Sequence, residues 1–228
     1  MTADRPSTQR FAVACDHALV ADAVRAALRE RSLDAVIVRW PEAGAAGATP
    51  AHRSFDAGLL VTGLDRWSRL EQVEALLERV PTRWVVLTDA PRGPEWGAVA
   101  VGGAVAVLPS NSALDDVVAV LVAAARDELR MDPVDVEHLA AQWSALKGRR
   151  ADLGARVATL TRRERQVLDM LYTGDSVARI ARLLEVSPAT VRSQVKAVLR
   201  KLGVSSQLAA VAELSYLMEG EDAGAAAI

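Results

Sequence analysis

The chain of 228 residues contains a single cysteine, Cys15. That excludes an intramolecular disulfide and any metal cluster built on cysteine. Aromatic residues make up only 4%, so the core must be aliphatic. The three histidines, His17, His52 and His138, are scattered. Neither a phosphate-cradling glycine loop nor a nucleophile–base spacing is present, so no enzyme activity, metal or cofactor is expected. Long apolar runs are missing too. The longest, GAVAVGGAVAVL at 97–108, is too short and too glycine-rich to span a bilayer. The opening MTADRPSTQR lacks the apolar segment of a secretion signal. A cytoplasmic protein with no membrane contact is expected.

Charge is unevenly placed. Residues 1–150 hold 17 Lys and Arg against 20 Asp and Glu, whereas residues 151–220 hold 10 against 7. An acidic front and a basic back imply two modules with different partners.

The front alternates short apolar runs with helical patterns. RFAVAC (10–15), DAVIVRW (34–40), AGLLVTG (57–63), RWVVLTD (83–89) and GAVAVLP (103–109) read as strands. Helices fall at 17–31, with apolar spacing at Leu19, Val20, Ala23, Val24 and Leu28, at 68–80, and at 112–130 with Ser112 as N-cap. The stretch 91–102 is at best a weak helix, and 41–54 is a loop with room for one helical turn. Strands alternating with helices predict an α/β domain, a five-stranded, doubly wound parallel sheet over 10–130. Residues 1–9 and 221–228 are expected to be disordered ends.

Residues 131–158 form a helical linker. Asp132 and Pro133 supply the N-cap and first helical position. Apolar residues then recur at Val136, Leu139, Trp143, Leu146, Leu153, Val157 and Leu160, the spacing of a heptad seam. Gly148 and Gly154 argue against one rigid helix. Two readings stay open: a coiled segment that pairs two chains through Leu139, Trp143, Leu146 and Leu153, or a helix folded back on its own domain.

The back module, 159–220, is all helical by pattern, with four helices. Thr161 and Glu164 make a capping box for 161–174, 176–186 is a short second helix, Ser187 caps 187–203 with Pro188 at N1 and Gly203 at the end, and 205–218 is the fourth. Two short helices and a tight turn, the second rich in basic groups, describe a helix-turn-helix. Spacing turns Val191, Val195, Val198 and Leu202 to the core, against Ile180, Leu183 and Leu184. Arg192, Ser193, Lys196 and Arg200 then point outward. Arg192 and Lys196 share one side of the helix, a side that can enter a major groove about 12 Å wide.

The segment 160–206 resembles the LuxR/NarL-type DNA-binding domain. The likeness rests on Leu160-Thr161, Arg163-Glu164, Val167-Leu168, Gly174, Ile180-Ala181, Leu184, Ser187, Thr190-Val191, Val195 and Lys201-Leu202-Gly203-Val204. Gln194 stands where the family most often has histidine, and glutamine still donates and accepts hydrogen bonds. The resemblance implies double-stranded DNA as partner, with Arg192, Ser193 and Lys196 reading bases and Thr190, Lys201 and Gln194 holding phosphates. It also implies a homodimer through the last helix, with Leu208 and Val211 on its face, although that face fits a core equally well. Glu164 is expected to pair with an arginine within the domain.

Beside this back domain, 10–130 is similar to the receiver domain of NarL-type response regulators, with departures. Cys15 replaces the first of two expected acids and Asp16 keeps the second. Thr88 matches the switch threonine, and Pro109 stands in place of the lysine. The phosphoacceptor aspartate falls at Val61 or Thr62. Aspartyl phosphorylation needs a carboxylate nucleophile, acids to hold Mg²⁺ and a lysine for the phosphoryl group; of these only Asp16 remains. Asp65, in the following loop, is the one alternative acceptor. The front is therefore expected to be a pseudo-receiver with a more apolar crevice. Its control would come from a small ligand, a protein partner or expression level. The function implied is a transcription regulator that acts without phosphorylation; the alternative is a protein-interaction or anti-activator module controlled by a partner or ligand at the pseudo-receiver.

Overall fold

The computed structural model describes residues 9–41 and 55–218. The expected disordered ends, but for Gln9, and the turn considered within 41–54, but for Pro41, lie outside the described residues. The chain divides into two compact units, Met1–Ser144 and Ala145–Ile228.

The front unit is built from β1 (Arg10–Cys15), α1 (Ala18–Glu30), β2 (Asp34–Ile37), β3 (Ala57–Val61), α2 (Trp67–Arg79), β4 (Trp84–Thr88), α3 (Trp96–Val101), β5 (Ala104–Pro109) and α4 (Leu114–Ala125). The strands form one parallel sheet in the order β2-β1-β3-β4-β5, a doubly wound order whose ligand crevice lies at the heads of β1 and β3. Near-continuous apolar runs suit strands covered on both faces. Phe11, Val13, Leu59 and Val85 accordingly meet Leu28 of α1 and Val117 and Leu121 of α4 in one buried cluster.

Several local expectations need correction. On α1 the inward stripe is Ala21, Val24 and Leu28, at i, i+3 and i+7, so Leu19 is left 83% exposed and Val20 and Ala23 also face solvent. Ser112 does not cap α4. Its hydroxyl donates to the Pro109 carbonyl at 2.8 Å, and Ala113 is the N-cap residue. That helix stops at Ala125, and Asp127 just beyond takes a left-handed turn with φ of 60°.

Helix α5 (Pro133–Ala158) is continuous over 26 residues. Asp132 starts it, its carboxylate accepting the Val134 N–H at 2.8 Å. Gly148 and Gly154 do not break it, since about 1 kcal/mol each is less than its packing returns. In the front unit Leu139 is 2% and Trp143 3% exposed. The Trp143 indole donates to Glu74 Oε1 at 2.9 Å, and its ring lies 5.0 Å from that of Trp67. Gly97 of α3 permits this approach: a Cβ there would stand 2.3 Å from the Leu139 carbonyl oxygen and 2.4 Å from Trp143 Cβ. In the back unit Leu153, 2% exposed, and Val157 enter the core. The seam set out for a coiled pair is thus taken up inside the chain at Leu139, Trp143 and Leu153, and Leu146 is half-buried.

The back unit adds α6 (Arg162–Tyr172), α7 (Val177–Leu183), α8 (Pro188–Leu202) and α9 (Gln207–Met218). The Thr161–Glu164 capping box forms on α6. Ser187 caps α8, with Pro188 at its start and Gly203 ending it at φ of 71°.

Candidate nucleic-acid interface and strand-head crevice

Helix α8 is amphipathic in the way its sequence requires. Val191, Val195, Val198 and Leu202 are buried. Val191 and Val195 pack with Ile180, Ala181 and Val167, with Leu184 partly buried beside them. Leu183, expected to join them, is 55% exposed; the inward stripe of so short a helix has room for Ile180 and Leu184 at i and i+4. The turn into α8 is fixed at two points. Glu185 takes a left-handed φ of 54°, and Arg163 Nη2 on α6 donates to the Leu184 carbonyl at 3.0 Å. Arg163 thereby holds the turn that aims α8, a role its place in the motif alone did not show.

The outward face carries Thr190, Arg192, Ser193, Lys196 and Arg200, all exposed, with Gln194 half-buried. Among the described residues Arg192, Lys196 and Arg200 have no side-chain hydrogen bond or ion pair. Thr190 shares a 2.9 Å hydroxyl contact with Ser187. Lys201 differs. Its Nζ donates to Glu164 Oε2 at 2.6 Å and to the Thr159 carbonyl at 3.0 Å. The partner of Glu164 is therefore this lysine rather than an arginine. Buried Glu164 also accepts the Thr161 N–H at 2.7 Å. The Lys201 hydrogen bond first, and that N–H next, hold its carboxyl below the usual range. On α9, Leu208 is 80% exposed and Val211 half-buried.

In the front unit a crevice of about 600 Å³ opens at the strand heads. It brings together Cys15, Asp16, Val61, Thr62 and Thr88 and also reaches Asp65, whereas Pro109 does not line it. Cys15 and Leu87 flank Val61 in register. Val61 is half-buried. Thr62 is buried and its hydroxyl donates to the Gly63 carbonyl at 3.0 Å. Buried Thr88 accepts the Ala90 N–H at 3.2 Å. Burial pushes the Cys15 thiol up, helped by the neighbouring Asp16 carboxylate. The crevice is lined by Asp16, Asp65, Asp89 and Glu95 along with Val61, Leu64 and Leu87.

The residue that sequence reasoning passed over is Arg69. From the first turn of α2 its Nε reaches Asp16 Oδ2 at 2.9 Å and its Nη1 reaches Asp65 Oδ1 at 2.9 Å. The Asp65–Arg69 spacing of i, i+4 was the available signal, but only the fold brings Asp16 to the same guanidinium.

Comparison with known proteins places the back unit. Residues 158–214 match the family described as bacterial regulatory proteins, luxR family. A 54-residue stretch, 24% of this chain, is 48% identical to the probable transcriptional regulatory protein NarL of Mycobacterium tuberculosis, in strains CDC 1551 / Oshkosh and ATCC 25618 / H37Rv, and spans only 25% of that relative's length. Among solved structures, the response regulator ChrA of a heme-sensing two-component system is similar over 93% of this chain and 98% of its own, at 22% identity and a TM-score of 0.38. The Salmonella typhimurium response regulator RcsB is similar over 91% and 99%, at 19% identity and a TM-score of 0.41. The motif, the capping and the match fall on the same stretch: residues 158–214 of this chain match the regulatory domain of the bacterial luxR family.

Proposed function

We propose that the chain is a sequence-specific DNA-binding transcription regulator of the atypical response-regulator kind, acting as a homodimer and without aspartyl phosphorylation. One observation carries the DNA reading. Helix α8 turns Arg192, Lys196 and Arg200 outward with no protein partner among the described residues, while its opposite face is buried. Unpaired cations on one side of a helix suit the phosphates and base edges of a major groove. Arg192, Ser193 and Lys196 are assigned to bases, and Thr190, Gln194 and Arg200 to the backbone. Exposed Leu208 on α9, with Val211 beside it, is assigned to the dimer contact, which would set two half-sites about one helical turn apart.

Independence from phosphorylation is supported by the strand heads. Val61 and Thr62 offer no carboxylate, and Asp65 is held by Arg69. Control is assigned to an effector, small molecule or protein, received by the front unit.

The test is a gel-shift titration on a site found by random-site selection. Arg192→Ala with Lys196→Ala should weaken binding by about a hundredfold or more, since each good base contact is worth about 1–3 kcal/mol. The salt slope should flatten with the lost cations. A selection that enriches no sequence, or a double variant that binds like wild type, ends the assignment and favours a protein-interaction module.

A further inference from the structure

The receiver likeness implies Mg²⁺ at the strand heads, and the residues there do not fit it. Among the described residues no group of three or more His, Cys, Asp or Glu is placed to hold a metal ion. Two carboxylates of the crevice, Asp16 and Asp65, are both bonded to one guanidinium. Asp16 is largely buried and Arg69 mostly so, with side chains 15% and 24% exposed. An arginine is permanently charged and presents a rigid fork of donors. It satisfies two carboxylates at once, as a divalent cation would, and needs no ion from solution.

Gly63 belongs to the same arrangement. A Cβ at that position would stand 2.7 Å from Asp65 Oδ1 and 2.8 Å from Arg69 Nη1. Gly63, two residues past the end of β3, thus lets the ion pair stand where it does without either side chain having to shift. Asp65 also lies 3.7 Å from Arg66 Nε, so its remaining oxygen faces a second cation.

We propose that the Arg69 guanidinium is the resident cation of this crevice, bridging Asp16 and Asp65 and excluding divalent metal from them. This rests on reading the front unit as a receiver-like module without phosphorylation, and it adds the residue responsible. The crevice is held in a single electrostatic state by the chain itself, so Mg²⁺ concentration is no input to the protein.

The test uses full-length protein and Mn²⁺ alone, followed by electron paramagnetic resonance of free and bound metal. Wild type should hold no Mn²⁺ at the crevice up to millimolar concentration. Arg69→Gln should bind it at least about tenfold more tightly, because a unit positive charge has left the two carboxylates. Adding Asp16→Asn should abolish that gain, and Arg69→Lys, which keeps the charge but not the fork that spans both acids, should bind Mn²⁺ more weakly than Arg69→Gln and more tightly than wild type. Two outcomes overturn the proposal: Asp16-dependent Mn²⁺ binding by wild type, or a folded Arg69→Gln protein that binds no better. Should Arg69→Gln fail to fold, the comparison of wild type with Asp16→Asn decides alone: metal held by the first and lost by the second overturns it, and no metal on either upholds it. Operator binding by the same wild-type sample is measured separately at α8, so failure here is distinguishable from failure of the DNA reading.

Discussion

The strand-head crevice and the outer face of α8 both hold arginine, and the fold treats the two in opposite ways. Arg69 is drawn in and matched with Asp16 and Asp65. Arg192 and Lys196 stand in solvent with no acid near enough to bond. A cation with two carboxylates has its free energy settled within the chain, whereas a row of unmatched cations on a rigid helix gains most when a polyanion arrives. Lys201 shows that position on the helix does not decide the matter. It follows Arg200 directly, yet it is bonded to Glu164 and the Thr159 carbonyl. What separates these cations is whether the chain itself matches them, residue by residue.

Helix α5 sharpens the contrast from the apolar side. The same seam could serve a second chain or this one, and Trp143 distinguishes the two. Trp143→Ala should cost about 3–5 kcal/mol, the usual loss for a fully packed indole, and the loss should be the same at all protein concentrations in a denaturant melt. If the loss instead falls away on dilution, the seam belongs to a dimer and the packing against Trp67 and Gly97 is not what Trp143 serves.

Much of this was legible in the sequence. Five strands, their order of appearance and the four back helices follow from periodicity and capping. Thr161, Ser187 and Gly203 mark helix ends by side-chain and backbone rules that act within a few residues. What periodicity did not reach was partner choice across distance. Leu19 and Leu183 fit apolar spacing but lie off the stripe that the tertiary contacts select. Likewise, Glu164 has several arginines near in sequence, yet a lysine 37 positions away meets it. Glycines in α5 argue locally for a break, and packing on both sides of them outweighs that preference. Val61 and Thr62 stand in the sequence where an acceptor aspartate was expected; the contacts of Arg69 with Asp16 and Asp65 could be seen only once β1, β3 and α2 were brought together.

The Glu164–Lys201 pair gives the next test, with a sign fixed by its chemistry. Glu164→Gln should lower the melting temperature of the full chain at neutral pH, for a loss of about 1–2 kcal/mol. The folded chain holds this carboxyl below its ordinary range. Its contribution is therefore complete above the unfolded value of about 4.3 and is lost as pH falls through the lowered folded value. The gap between wild type and variant should be widest above about pH 5 and close in acid. A gap that grows on acidification would show that the pair is not what the carboxylate contributes.

The smallest effect is the most discriminating, because it sets two basic residues of one helix against each other. If matched cations are architecture and unmatched ones meet DNA, Lys201→Met should change operator affinity by no more than about threefold, whereas Arg192→Ala alone should cost about tenfold or more. Lys201→Met should instead appear in stability, because Glu164 then keeps its backbone hydrogen bond but loses its charged partner. Its salt slope should match wild type, since the slope counts the phosphates a protein neutralises and Lys201 is already occupied by a carboxylate. A slope that drops by about one with Lys201→Met would mean that DNA competes successfully with Glu164 for this lysine. The line between matched and unmatched cations would then have to be drawn in the complex and not in the free protein.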